Sequence, residues 1–129
     1  MYRKLSIVSI LFAAMLTSSS CSKDKDDNPT SVTHKVQFIA TASAGGSIST
    51  ASYGVDGDAH TANNLSGTSW TSPELTAPAG AYNANILVNG AGTTDASALK
   101  VGIYIDGVLK KEESATPGRV LSVMLNYKF

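Results

Sequence analysis

The chain has 129 residues, ten of them basic and ten acidic, so its formal net charge is zero with the histidines neutral. That length suits one domain, and the even balance leaves no basic face of the kind a nucleic-acid binder needs. Gly, Ser, Thr, Ala and Asn are abundant and charged residues make up only 16% of the chain, a composition that favours short strands joined by turns over helices.

Residues 1–20 read as a secretory signal peptide. Arg3 and Lys4 supply the positive start, and Leu5–Leu16 is apolar apart from Ser6 and Ser9. A permanent span needs about 20 apolar residues, so this run is too short. Thr17–Ser20 then place small side chains directly before Cys21, the single cysteine of the chain. An internal disulfide is therefore impossible. This arrangement resembles the lipobox of bacterial lipoproteins, in which the cysteine is lipidated and becomes the new N-terminus. It departs from the usual pattern, because Ser18 and Ser20 stand where Leu and a smaller residue are customary, and Leu16 lies further upstream. Serine-rich variants of this kind resemble those of the Bacteroidetes. The bland alternative is an ordinary signal peptide cut near Ser18–Ser20 that leaves an unmodified thiol.

After removal of the leader, the sequence is expected to attach to a membrane through lipid on Cys21. Residues 21–31 then form a tether. Lys23-Asp24-Lys25-Asp26-Asp27 is charged and free of apolar residues, and Asn28-Pro29 closes it. Such a segment has nothing to bury. Its acidic run resembles the export signal of Bacteroidetes surface lipoproteins, which implies the outer face of the outer membrane.

Residues 32–129 form the expected domain, with no 3.6-residue apolar period and several period-two segments. Val36, Phe38, Ala40 and Ala42 alternate with Lys35, Gln37, Ile39 and Thr41. Ala44-Gly45-Gly46 turns the chain into a strand around Ser47–Tyr53, and Val55-Asp56-Gly57-Asp58 is the next turn. A third strand is expected over Ala59–Asn64 and a weak fourth at Ser69-Trp70-Thr71, followed by a connection between Pro73 and Pro78-Ala79-Gly80. Tyr82, Ala84, Ile86 and Val88 then share one face of the clearest strand. Val101, Ile103 and Ile105 do the same before Asp106-Gly107, a strong hairpin signal because both residues tolerate positive φ. Lys110-Lys111-Glu112-Glu113 puts charge on both faces of the returning strand and predicts an edge. In the last strand Leu121, Val123, Leu125 and Tyr127 alternate with Val120, Ser122, Met124 and Asn126. Apolar residues on both faces predict a well-covered central strand. Seven or eight short strands with turns every 8–12 residues predict an all-β, immunoglobulin-like sandwich of about seven antiparallel strands.

Ala51-Ser52-Tyr53-Gly54-Val55-Asp56-Gly57, Trp70, and Val101-Gly102-Ile103-Tyr104-Ile105-Asp106-Gly107-Val108-Leu109 follow in an order that resembles the MmpS-type domain. Proteins of that family are small mycobacterial membrane proteins that accompany large lipid and siderophore exporters. The resemblance runs roughly from Val36 to Tyr127 and implies an immunoglobulin-like sandwich with an envelope exporter as partner. Trp70 follows Thr68-Ser69 rather than the family's Leu-Pro, and the family's cysteine pair is replaced by apolar residues near Val101 and Val123.

Candidate chemistry is sparse. His34 opens the first strand beside the tether. Asp56, Asp58 and His60 would align on one face if that segment were extended, but Gly57 argues for a solvated turn. Calcium or zinc would need more ligands than this trio supplies, so no metal is expected. No nucleophile-elbow motif frames a serine, and Gly-rich segments 44–46 and 90–92 lack a phosphate-cradle context. Asp106, Glu112 and Glu113 read as solvated surface. No cofactor and no catalytic residue are expected. Trp70 and Tyr104 are the candidate ligand contacts: Trp70 as a sugar-stacking ring or as a core plug, Tyr104 as an outward ring beside Leu109. The expectation is a surface-anchored, non-enzymatic binding or accessory module, with an envelope protein or a glycan as partner.

Overall fold

A computed structural model describes residues 32–129. The expected signal peptide, Cys21 and the expected acidic tether lie outside the described residues. Nine strands follow in order: β1 His34–Ala42, β2 Ser47–Val55, β3 Asp58–Ala62, β4 Ser69–Thr71, β5 Leu75–Ala77, β6 Asn83–Ala91, β7 Leu99–Ile105, β8 Val108–Ser114 and β9 Val120–Lys128. They form two antiparallel sheets. One runs β4-β1-β7-β8, with β5 also on β1; the other runs β3-β2-β6-β9. The expected all-β sandwich is present.

Its core is the sum of the period-two faces. Val36, Phe38 and Ala40 of β1, Val101 and Ile103 of β7, and Ile86 and Val88 of β6 are buried, while their alternate neighbours face outward. Burying one such side chain contributes about 1.5–3 kcal/mol. The two Asp-Gly turns have the paired positive φ values of a tight hairpin, 50° and 82° at Asp56-Gly57 and 52° and 81° at Asp106-Gly107.

Each turn aspartate also reaches a third strand. Asp56 Oδ1 accepts the backbone N–H groups of Tyr82 and Asn83, both at 2.9 Å, at the start of β6. Asp106 Oδ1 accepts the N–H of Lys35 at 2.8 Å, at the start of β1. Both sheets are thus tied by the same device at the same end.

Four expectations change. Tyr82, expected on the same face as Ala84, Ile86 and Val88, precedes β6 and is 62% exposed while those three are buried. Leu75–Ala77 lies within the expected connection yet pairs with Val36–His34 as β5. β4 and β5 share one edge of β1, and Ser72 spans the gap between them. Its Oγ accepts the Phe38 N–H at 3.0 Å and donates to the Pro73 carbonyl at 2.8 Å. The third strand is shorter than expected and ends at Ala62. The largest correction concerns β9. It pairs only with β6 and is an edge strand. Val120 and Met124 on its outer side are 86% and 72% exposed. Apolar residues on both sides of a strand state that each has something to repel from water, not that a neighbour exists to cover it. β8 is the edge that its charges indicated.

Candidate functional site

Trp70 lies opposite Ala40 on β1, so it points between the sheets from the short edge strand β4. It is half-buried. Its ring meets that of Tyr53, from the other sheet, with centroids 5.3 Å apart at 57°. Tyr53 in turn stacks on His60 of β3 at 5.5 Å and tilts against Phe38 at 5.5 Å. The edges β3 and β4 therefore close one seam of the sandwich with a line of aromatic rings. Trp70 and His60 form its outer members, and packing fixes their orientation. Tyr53 is the member that the sequence placed in the resemblance motif but not among the candidate ligand contacts. Its signal was its place on the inward side of the strand leading into Asp56-Gly57.

Tyr104 is on the outer face of the first sheet, opposite Gln37 and Leu109. It and Leu109 lie over Gly102: a Cβ added there would sit 2.9 Å from Leu109 Cδ1 and 3.2 Å from Tyr104 Cε2. An aromatic ring laid across a strand glycine covers backbone that would otherwise face water. With half-buried Ile39, which pairs with Gly102, the two side chains form a small apolar patch. Trp70 and Tyr104 are on opposite faces of the first sheet, so the structure does not bring them into one site.

The Asp56, Asp58 and His60 trio does not converge. Asp56 is committed to the β6 backbone, and His60 Nε2 is 3.7 Å from an Asp58 carboxylate oxygen. Among the described residues no group of three or more His, Cys, Asp or Glu side chains is placed to hold a metal ion. No helix among them is long and apolar enough to cross a membrane. Glu112 pairs with Lys100 at 3.7 Å, and Lys111 Nζ donates to the Asn126 carbonyl of β9 at 2.8 Å. That last bond ties the two edge strands at the other seam.

His34 is not an isolated end residue. Its Nδ1 donates to Asp106 Oδ2 at 2.7 Å, and its ring stacks on Phe129 with centroids 5.6 Å apart. The His34 hydrogen bond, followed by the Lys35 N–H, holds the Asp106 carboxyl below its ordinary value of 3.8. Because the folded value is the lower one, this stabilisation is complete above the ordinary value and is lost as pH falls through the folded one. Urea midpoints measured below pH ~4 should fall less steeply in Asp106→Asn than in the parent protein. Asn tolerates the same positive φ, so the hairpin survives the change. Equal slopes would show that this pair does not couple to folding.

No protein-family model matches the chain, and no curated protein matches it.

Proposed function

We propose that the protein is a lipid-anchored envelope protein, displayed on the outer surface, whose sandwich is a non-enzymatic binding or accessory module. The observation that carries this reading is the lone Cys21 at the end of the apolar leader, followed directly by the charged run Lys23-Asp24-Lys25-Asp26-Asp27. A single acyl chain binds a membrane only marginally, and two or more give stable anchoring, at about 0.8 kcal/mol per buried CH₂. Lipoprotein cysteines of this class carry three chains. The sandwich then offers a partner its aromatic seam, its Tyr104 patch and its loops. The order of Tyr53, Trp70 and Asp106-Gly107 favours an exporter-type membrane protein as partner, and the outer edge of Trp70 favours a glycan.

The expected result is that radiolabelled fatty acid enters the parent protein and not Cys21→Ser, and that Cys21→Ser leaves the membrane fraction. Label-free parent protein would sink the anchor. Crosslinking on the same intact cells distinguishes the partners: a large membrane protein supports the accessory reading, and recovery of the chain alone counts against it. Protease added outside those cells should remove the domain if it is surface-displayed.

A further inference from the structure

Of the seven exposed large apolar side chains among the described residues, four are gathered at one end of the sandwich; Leu109 lies one residue beyond them on β8, and Val120 and Met124 lie on the outer side of β9. Val32, Tyr82, Val108 and Phe129 are 55, 62, 55 and 38% exposed. All four lie beside the two Asp-Gly turns and the start of β1. The Phe129 N–H donates to the Tyr82 carbonyl at 3.0 Å, and Phe129 stacks on His34. Val108 follows the Asp106-Gly107 turn, and Val32 precedes His34 by two positions.

Cations rim this cluster. The Lys128 ammonium is 5.3 Å from the centroid of the Tyr82 ring, Lys35 is the second residue of β1, and Lys110 is the third residue of β8. The side-chain carboxylates here are Asp56, which accepts backbone N–H groups, Asp106, which accepts a backbone N–H and His34, and Asp58, which faces water. The opposite end presents Ala44-Gly45-Gly46, Thr93-Thr94 and Thr116-Pro117-Gly118, small and polar apart from exposed Val120 at the start of β9.

We infer that the Val32–Tyr82–Val108–Phe129 end rests on the lipid bilayer that holds the anchor. The inference depends on lipidation of Cys21 and adds to it an orientation for the domain. The chain enters the sandwich at this end, and Cys21 precedes Val32 by 11 positions, about 40 Å at full extension. A tethered surface meets its bilayer at high effective concentration, so a weak contact suffices. Tyrosine at headgroup level with lysines reaching outward is the residue pattern of a membrane interface. A second copy packed head to head on this end would occupy the side from which the tether leads to the bilayer. Seated this way, the domain turns its Gly45 and Pro117 loops outward.

The test uses mature lipidated protein in phosphatidylethanolamine–phosphatidylglycerol vesicles, with and without brominated acyl chains. Tyr82→Trp is compared with Ala96→Trp at the far end, each after subtraction of the Trp70 emission of the parent. Bromine should lower the Tyr82→Trp emission by about twofold, because a ring at headgroup level is within reach of the upper acyl chain. It should leave Ala96→Trp unchanged. Adding Val108→Ser and Phe129→Ser to Tyr82→Trp should relieve the quenching. Unquenched Tyr82→Trp in protein shown by intact mass to be lipidated overturns the seat and leaves the anchor standing. Equal quenching at both ends also overturns it, as does shielding of Tyr82→Trp that grows with protein concentration, the sign of head-to-head pairing. An unmodified Cys21 overturns the anchor and the seat together.

Discussion

Phe38→Ala should lower the unfolding free energy by about 3–5 kcal/mol, the range for emptying a buried aromatic site. Phe38 is fully buried in β1, the strand that pairs with β4, β5 and β7. Its ring also supports Tyr53, and Tyr53 sets the positions of His60 and Trp70. Domains of this size are stable by about 5–15 kcal/mol in total, so the variant should be largely unfolded in mild urea. Urea unfolding followed by Trp70 fluorescence measures it. The same cavity should expose the indole in the native baseline, because the Tyr53 ring loses its backing. A midpoint within experimental error of the parent would mean that neighbours collapse into the space and that Phe38 is not the central support of the seam.

Gly54→Ala should detach β3. Gly54 pairs with Ala59, and an added Cβ would run into the backbone carbonyl oxygen of Asp58. A side chain can swing away from such a clash; a carbonyl held in a two-residue hairpin cannot. β3 pairs with β2 alone and has five residues, so its release is local. The expected cost is about 1–3 kcal/mol, the range for overpacking, capped by what β3 contributes. Amide exchange should quicken in Asp58–Ala62 while β6 and β7 keep their protection, and the His60 resonances should lose the ring-current shift from Tyr53. Protection of β3 equal to the parent would remove this explanation for a glycine at position 54. Gly57→Ala provides the comparison. There an added Cβ meets nothing, and only the positive φ of 82° opposes it. That penalty is about 1–2 kcal/mol, and β3 should remain paired.

How much of this was legible in the chain depends on how local each cause is. Alternation in Val36–Ala42, Ala84–Val88 and Val101–Ile105 reports which face is buried, because side-chain direction follows from the strand itself. Asp-Gly at 56–57 and 106–107 reports a turn for the same reason. The second use of those aspartates was not legible. Asp56 bonds a backbone 26 positions away and Asp106 one 71 positions away. The His34–Asp106 pair spans 72 positions. β5 was missed because three residues between prolines carry no readable period, and its pairing with β1 is made across the fold.

Position within a sheet was the hardest property to read. The charges of Lys110–Glu113 marked β8 as an edge, since charge on both sides of a strand cannot be covered cheaply. β9 offered no such mark, and its apolar Val120 and Met124 suggested a cover that the β3-β2-β6-β9 order does not provide. Trp70 divides the same way. Its residue type offered a stacking ring or a core plug, and only the approach of β3 and β4 made it an outer member of an aromatic seam.

By itself, then, the sequence determined the buried face of each long strand, the two hairpins, the charged edge at β8 and the position of the single cysteine, all consequences of interactions within a few residues. The tertiary structure alone decided that β9 is an edge, that Tyr53, His60 and Trp70 meet, and that Tyr82, Val108 and Phe129 gather where the chain enters the domain. Those outcomes follow from strand order, and strand order is set by burying all the apolar faces at once.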